Sequence, residues 1–284
     1  MALHDRIVLA TDLSARSDRA LDRAMMLARS DSAEFTVVHV LEPTPNNRFY
    51  PRTRPLSDLA AAVRGQLIHD LGPCASKSTV RIEEGDPAES IERVARERSA
   101  TLAVVGVARL ERLGRFVLGN TVERLVRGLD VPLLIVTDRP RGPYARIAVA
   151  VDFSPVSRQI LQLALTSFPE QRITVFHAYE ALASYAAPDL ELHREEFRKI
   201  AEADCAKWLA STNLPETARD RIDTRIEFGE PASVLRDAAV RDSFDLVVIG
   251  TRGRGRLFEF FLGSVGKRIL AELPCDALFV RESP

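Results

Sequence analysis

Three glycines and a serine near the C-terminus stand at a distinctive spacing. Gly250 and Gly253 are separated by two residues, and nine further residues lead to Gly263, which Ser264 follows directly. The apolar run 246–249 ends at Gly250, so the first glycine stands where a predicted strand ends. Glycine lets backbone N–H groups approach a phosphate closely because it has no Cβ. A Gly-Ser pair that opens a helix adds a hydroxyl and the positive end of the helix dipole, so the pattern predicts a phosphate-binding loop.

Composition and charge exclude several classes of protein. The chain has 284 residues, of which 46% are hydrophobic and 28% charged, with a net charge of −1. Nothing in this balance attracts the chain to nucleic acid or to an anionic membrane. Cys74, Cys205 and Cys275 are scattered without a CxxC pair, which favours a reducing compartment over a disulfide framework or a zinc site. We find no signal peptide and no membrane-length apolar run, so we expect a cytoplasmic protein without membrane association.

The sequence contains an internal duplication. Four segments of the first half recur in the same order in the second: RIVLATDLS as RIAVAVDFS, FTVVHV as ITVFHA, RIEEGDPA as RIEFGEPA, and LAVVG as LVVIG. Asp12 thereby corresponds to Asp152, and His39 to His177. A repeat that persists along the whole chain predicts two similar domains, 1–140 and 141–284, joined by the Pro/Gly/Arg segment 138–143.

Each half alternates short β-branched runs with longer helical patterns, which predicts an α/β fold. The strands are expected near 6–10, 34–40, 78–84, 101–106 and 132–136, then 146–151, 172–178, 222–228, 246–250 and 277–281. Helices in the first half are expected near 17–30, 56–71, 87–98 and 120–129. The sequence therefore predicts two doubly wound, five-stranded parallel-sheet domains in tandem, of Rossmann-like or flavodoxin-like type.

The strand order decides which motifs meet. In the order 3-2-1-4-5, strands one and four are neighbours, and ligands bind beyond the carboxyl ends of the strands where the order reverses. Asp152 follows strand one of the second half and Gly250 ends strand four. We therefore expect the two to lie in one crevice.

Together these residues resemble the universal stress protein family, as a tandem of two such domains. The matching motifs are Asp152, the loop from Gly250 to Ser264, and the turn 229–232, and the resemblance runs from about residue 5 to 281. It implies an ATP site in the second domain, with Mg²⁺ accompanying the triphosphate. By position, it places Val151, Asp152 and Ala178 against the adenosine. It assigns the ribose and phosphates to the loop residues Gly250, Arg252, Gly253, Gly263, Ser264 and Val265.

The first half departs from this pattern in its loop. The aligned residues are Gly106, Arg109, Gly119 and Asn120, so an arginine replaces the second glycine and an asparagine replaces the serine. An arginine side chain occupies space that phosphates need, and its Cβ disfavours positive φ. Asn120 can still cap a helix. We expect the second half to bind ATP, and the first half to bind it weakly, differently or not at all.

Several residues have a plainer interpretation beside the functional one. Ser264 is also an ordinary helix N-cap, and Asp152 could cap the turn into Ser154. The arginines in the loop, Arg252 among them, fit screening of phosphate charge or a mobile lid better than nucleic-acid binding. His39 and His177 fit polar strand ends inherited by duplication better than metal ligands, and no metal site is predicted.

Three hypotheses of function follow. The leading one is an ATP-binding stress-response protein whose nucleotide changes the conformation of the 251–262 loop, which an unidentified protein partner would then read. The alternative is a slow ATPase or autophosphorylating enzyme; Glu259 and Asp152 are its only obvious nearby carboxylates, and we assign no catalytic residue. The third is an interaction scaffold without nucleotide.

Assembly is a further expectation from the resemblance. Members of the family commonly pair through their fifth strands, and the duplication would supply such a pair of domains within one chain. A homodimer remains compatible with the sequence.

Overall fold

The structure is a computed structural model that describes residues 3–28, 33–42, 56–110, 115–117, 120–180, 190–250 and 272–281. It is an α/β fold with parallel strands, as the sequence predicts. The chain divides into two compact units, one formed by Met1–Ala108 with Val117–Pro143 and the other by Arg109–Phe116 with Tyr144–Pro284. No helix in these described ranges is long and apolar enough to cross a membrane.

The first half of the chain alternates strands and helices. Its strands are β1 (Arg6–Ala10), β2 (Glu34–Leu41), β3 (Ser78–Glu84), β4 (Leu102–Gly106), β5 (Ala108–Leu110), β6 (Arg115–Val117) and β7 (Leu133–Val136). Its helices are α1 (Ala15–Leu27), α2 (Leu56–Leu71), α3 (Pro87–Glu97) and α4 (Asn120–Gly128), with a 3-10 helix at Gly72–Lys77. The five long strands lie in the order β7-β4-β1-β2-β3, and their pairings are parallel.

The second half repeats this plan. Its strands are β8 (Arg146–Ala150), β9 (Arg172–Tyr179), β10 (Ile222–Phe228), β11 (Leu246–Gly250) and β12 (Asp276–Val280). Its helices are α5 (Pro155–Ser167), α6 (Leu190–Ser211), α7 (Glu216–Arg219) and α8 (Pro231–Arg241). The order is β10-β9-β8-β11-β12, which is 3-2-1-4-5 in chain order, and the expected neighbours β8 and β11 are confirmed.

The core of each unit contains strands that are buried along their whole length. Every residue of β11 is buried, as is every residue of β7 and β12. Continuous rather than alternating burial is typical of parallel strands that are covered by helices on both faces. The apolar runs in the sequence therefore become buried strands, and polar residues such as Asp12 and Asp152 follow the carboxyl ends of two of them.

Matching turns begin the third long helix of each half. Gly85 and Gly229 have φ of 128° and 139°, a region that favours glycine, and proline occupies the first helical position after each. The side chain of Asp86 accepts a hydrogen bond from Glu89 N at 3.0 Å, and Glu230 accepts one from Ser233 N at 3.0 Å. The duplicated Gly-acid-Pro sequence thus encodes a capped helix start beside the carboxyl ends of the strands.

Two short strands depart from the expected strand pattern. Between β4 and α4, the short strands β5 and β6 pair with each other. They occupy the part of the first half that aligns with the glycine loop of the second half. Arg109, which replaces the second glycine, lies within β5.

Candidate functional site

The pairing of β8 with β11 brings the two main motifs of the second half together. Val248 lies opposite Val149 in this pairing. The chain therefore leaves β8 next to the end of β11, where Gly250 stands. Ala178 lies near the end of the other neighbour of β8, the strand β9. This edge of the sheet is the place where open α/β sheets bind ligands.

Immediately after β8 the chain makes a tight turn into α5. We call residues 151–157 the second elbow, and the corresponding residues 11–17 the first elbow. In the second elbow, Oδ1 of Asp152 accepts hydrogen bonds from Ser154 N at 3.0 Å and from Ser157 Oγ at 2.7 Å. Ser154 in turn accepts from Ser157 N at 3.2 Å and caps α5. Asp152 therefore does cap this turn, and the turn fixes the direction of its carboxylate.

The first elbow holds its aspartate in the same way, although the side chain of Ser14 makes no capping hydrogen bond to α1. Oδ1 of Asp12 accepts from Ser14 N at 3.0 Å and from Ser17 Oγ at 2.7 Å. The spacing Asp-x-Ser-x-x-Ser recurs in both halves of the sequence and was the available signal for Ser17 and Ser157. The repeated segment from which the aspartates were predicted ends at the first serine of each half, so neither Ser17 nor Ser157 was predicted.

Each elbow holds a bulky residue in left-handed backbone geometry. Leu13 and Phe153, which directly follow the two aspartates, both have φ of 61°. This conformation costs a non-glycine residue about 1–3 kcal/mol and persists only where the surroundings impose it. Its recurrence at the same place in both halves shows that the elbow, rather than the residue type, determines the geometry.

The residue before each aspartate is held through both of its backbone groups. Val151 is 0% exposed; its N–H donates to Phe176 O at 2.9 Å, and its C=O lies 2.8 Å from Nδ1 of His177. Because a carbonyl only accepts, Nδ1 of His177 carries the hydrogen. In the first half, Thr11 makes the same pair of contacts, at 2.9 Å to Val38 O and at 2.9 Å to Nδ1 of His39.

The two elbows differ in charge. Nε of Arg16 lies 3.4 Å from Oδ2 of Asp12, whereas the buried Val156 occupies the position of Arg16 in the second half. Burial alone would raise the pKa of Asp12, but hydrogen bonds from Ser14 and Ser17 outweigh it and hold the pKa below its usual range. Asp12 thus remains ionised beside its own arginine.

A cavity of about 230 Å³ lies at the strand ends of the first unit. Its walls are mainly apolar, and its polar groups come from Thr11, Asp12, Arg16, Ser17, Glu42 and Thr121. Small-molecule sites have this character: an apolar enclosure with a few placed polar groups. The half with the altered loop therefore retains a crevice.

Gly106 allows the end of β4 to approach the start of α1. A Cβ on Gly106 would lie 2.5 Å from the carbonyl oxygen of Arg16, far closer than real contacts allow. This first glycine of the aligned loop is thus required by packing in the first half, whatever the ligand.

The structure brings Val151, Asp152, Ala178 and Gly250 to one edge of the sheet. The other predicted site residues, Arg252, Gly253, Gly263, Ser264 and Val265, lie outside the described residues, as does Glu259. Across the residues that the structure describes, no group of three or more His, Cys, Asp or Glu side chains is arranged to hold a metal ion.

Comparison with known proteins identifies the family. The model of the universal stress protein family matches residues 4–137 and again 143–281. A universal stress protein of Mycolicibacterium smegmatis is 24% identical over 290 residues, which cover 97% of this chain and 96% of that protein. One of Thermus aquaticus is 37% identical over 111 residues, covering 39% of this chain and 77% of that protein.

A solved structure shares the fold along the whole chain. The crystal structure of a universal stress protein from Archaeoglobus fulgidus is 18% identical and covers 98% of both chains, with a TM-score of 0.69. At this identity the likeness concerns the fold alone. With the two family matches, it follows that this chain belongs to the universal stress protein family and carries two copies of the family's domain in tandem.

Proposed function

We propose that this protein is a nucleotide-dependent signalling module of the stress response, which holds ATP with Mg²⁺ mainly in its second domain, residues 141–284. The observation that carries the proposal is the meeting of Asp152 and Gly250 at the edge where β8 and β11 end. The glycine pattern of the sequence starts at this point, so a phosphate loop would begin beside an oriented carboxylate.

The adenosine would lie against the second elbow. Asp152 has its Oδ1 directed by Ser154 and Ser157, and the small Ala178 lines the neighbouring strand end. Val151 would act through its position, since its side chain is buried and both of its backbone groups are bonded within the protein. Its role in the proposal is to hold the residue that follows it.

The phosphates would lie over the loop that starts at Gly250. The absence of Cβ atoms at Gly250, Gly253 and Gly263 suits backbone donors to phosphate, and Ser264 would add a hydroxyl. Arg252 would offset phosphate charge. Val265, which follows Ser264, is the last of the residues that we assign to the ribose and phosphates. Mg²⁺ commonly keeps several waters and binds through substrate phosphates, so we assign it no protein ligand; when bound, it neutralises phosphate charge.

The first domain would not hold a triphosphate in the same way. Arg16 already pairs with Asp12 at the strand end, and Arg109 replaces the second glycine. The cavity in this unit gives space for a ligand, but the loop that should cradle phosphates contains the paired strands β5 and β6. We therefore expect one strongly bound ATP per chain.

The proposal is a binding function rather than turnover. Oδ1 of Asp152 accepts two hydrogen bonds from its own elbow, which suits a recognition group better than a general base that must take up a proton. Bound ATP would then act by favouring one conformation of the 251–262 loop, and a partner protein would recognise that conformation.

The test is to denature freshly purified protein, separate the released small molecules by chromatography, and count nucleotide per chain. One ATP per chain supports the proposal, and two would refute the difference between domains. Predominantly ADP would instead indicate hydrolysis. No nucleotide, with no uptake of added Mg·ATP, would leave an interaction scaffold.

A matched pair of variants locates the site. Gly263→Val should abolish ATP uptake while the circular dichroism spectrum stays native. Gly119→Val, the corresponding change in the first half, should leave uptake unchanged. Unchanged affinity in Gly263→Val would exclude the loop as the phosphate site.

A further inference from the structure

His177 contacts the residues on both sides of Asp152. Its Nδ1 lies 2.8 Å from the carbonyl oxygen of Val151, the residue before the aspartate. Its ring stacks on Phe153, the residue after the aspartate, with the ring centroids 4.1 Å apart and the planes at 30°. One side chain on β9 therefore restrains the elbow at both flanks of its carboxylate.

In the first domain, the corresponding histidine makes only one of these two contacts. His39 keeps the hydrogen bond to the carbonyl of Thr11, at 2.9 Å, but the residue after Asp12 is Leu13, which has no ring to stack. The hydrogen bond is thus the part common to both elbows. The geometry of the elbow is also common, since Leu13 and Phe153 have the same φ of 61°.

We propose that His177 is a positioning residue for the nucleotide site, acting by holding the Val151 carbonyl so that Asp152 meets the ligand. This inference rests on the proposed function. The direction of the Asp152 carboxylate depends on where the chain leaves β8, and the hydrogen bond from Nδ1 fixes that point together with the backbone bond from Val151 N to Phe176 O. His177 itself need not touch the ligand.

Burial supports a neutral ring in this role. Desolvation lowers the pKa of His177, against the opposing effects of the Val151 carbonyl and of the Asp152 and Asp204 carboxylates. A neutral imidazole with its hydrogen on Nδ1 is the tautomer that the contact with Val151 requires.

Two substitutions separate the hydrogen bond from the ring. His177→Asn keeps an N–H donor close to the place of Nδ1 but removes the ring, whereas His177→Phe keeps a ring for Phe153 but removes the donor. His39→Phe is the matched control in the first domain. ATP affinity is measured by calorimetry. Trp208, the single tryptophan of the chain, lies 5.7 Å from Phe153 between ring centroids and reports by its emission whether the region stays folded.

We expect His177→Phe to weaken ATP binding at least about tenfold, because it removes the hydrogen bond that orients Asp152. His177→Asn should bind ATP within about threefold of the wild-type affinity. His39→Phe should leave both the affinity and the stoichiometry of ATP binding unchanged. Native affinity in a folded His177→Phe would overturn the inference and leave the proposed function intact. Equal losses in both His177 variants would overturn the hydrogen bond as the cause. A wild-type protein that binds no ATP would overturn both proposals.

Discussion

The hydroxyl of Ser157 donates to the carboxylate of Asp152 at 2.7 Å and accepts from the backbone N–H of the same residue at 3.0 Å. In the other half, Ser17 and Asp12 make both contacts, at 2.7 Å and 3.3 Å. A single buried hydroxyl thus closes each elbow by serving as donor and acceptor to one residue.

Removal of this hydroxyl should destabilise the fold in either half, but it should weaken ATP binding only when it is removed from the second half. Ser157→Ala leaves the Asp152 N–H without its acceptor, so we expect a loss of about 1–3 kcal/mol in the free energy of unfolding. Urea denaturation measures that loss, and calorimetry should show weaker ATP binding. Ser17→Ala is the matched control: a similar change in stability with unaltered ATP affinity is expected. Equal weakening of ATP binding in both variants would contradict the assignment of the site to the second domain.

Two glycines should respond in opposite directions to alanine. Gly106→Ala places a Cβ 2.5 Å from a backbone oxygen of Arg16, so β4 or α1 must shift. We expect a destabilisation of about 1–3 kcal/mol. Gly65 lies in the exposed part of α2 with nothing within 4 Å of a built Cβ, so Gly65→Ala should stabilise by about 1 kcal/mol. Thermal unfolding of both variants checks the pair, and a neutral Gly106→Ala would show that the contact relaxes easily.

Thiol reactivity should distinguish one cysteine from the other two. Cys74 is exposed, Cys205 and Cys275 are buried, and burial raises the pKa of Cys205 to about 11. Since the thiolate is the reactive form, native protein should react rapidly with one equivalent of a disulfide reagent such as dithionitrobenzoate. Unfolding in guanidinium should expose all three thiols. In Cys74→Ser the fast phase should vanish; its persistence would mean that a buried thiol becomes accessible in the native state.

Mild acid should destabilise the protein through its partly buried histidines. Burial lowers the pKa values of His4 and His177 in the folded state, so the unfolded chain takes up protons first as the pH falls. The contribution of these histidines to the free energy of unfolding is therefore fully present above the ordinary histidine pKa of about 6.5, and it declines as the pH falls below that value. Denaturant midpoints between pH 7.5 and pH 5 should decrease, and less steeply in His177→Asn. An equal slope in that variant would show that His177 does not contribute.

The sequence was sufficient to predict the sheets because the chain repeats its strand pattern twice. Runs such as 246–249 are apolar throughout, which is typical of parallel strands covered on both faces, and the strand order then places Asp152 beside Gly250. The strands β5 and β6 escaped prediction because three residues are too few for a recognisable alternation.

The details of the elbows could not be predicted in the same way. A bulky residue at positive φ is disfavoured locally, so neither Leu13 nor Phe153 carries a sequence signal for it. The duplicated histidines were visible, but residue type does not show which atom a ring contacts. The bond from His177 to Val151 joins residues far apart in the chain, and only the neighbouring positions of β8 and β9 reveal it.

The clamped backbone at Val151 and Thr11 has a thermodynamic consequence. Both backbone groups of Val151 and of Thr11 are bonded within the protein, so ligand binding loses little conformational entropy at these residues. The entropy of ordering that accompanies binding must then come from other segments of the chain. Because the backbone that precedes each aspartate is held alike, a difference in affinity between the domains has to arise from side chains, such as Arg16 in place of Val156, and from the loops that follow β4 and β11.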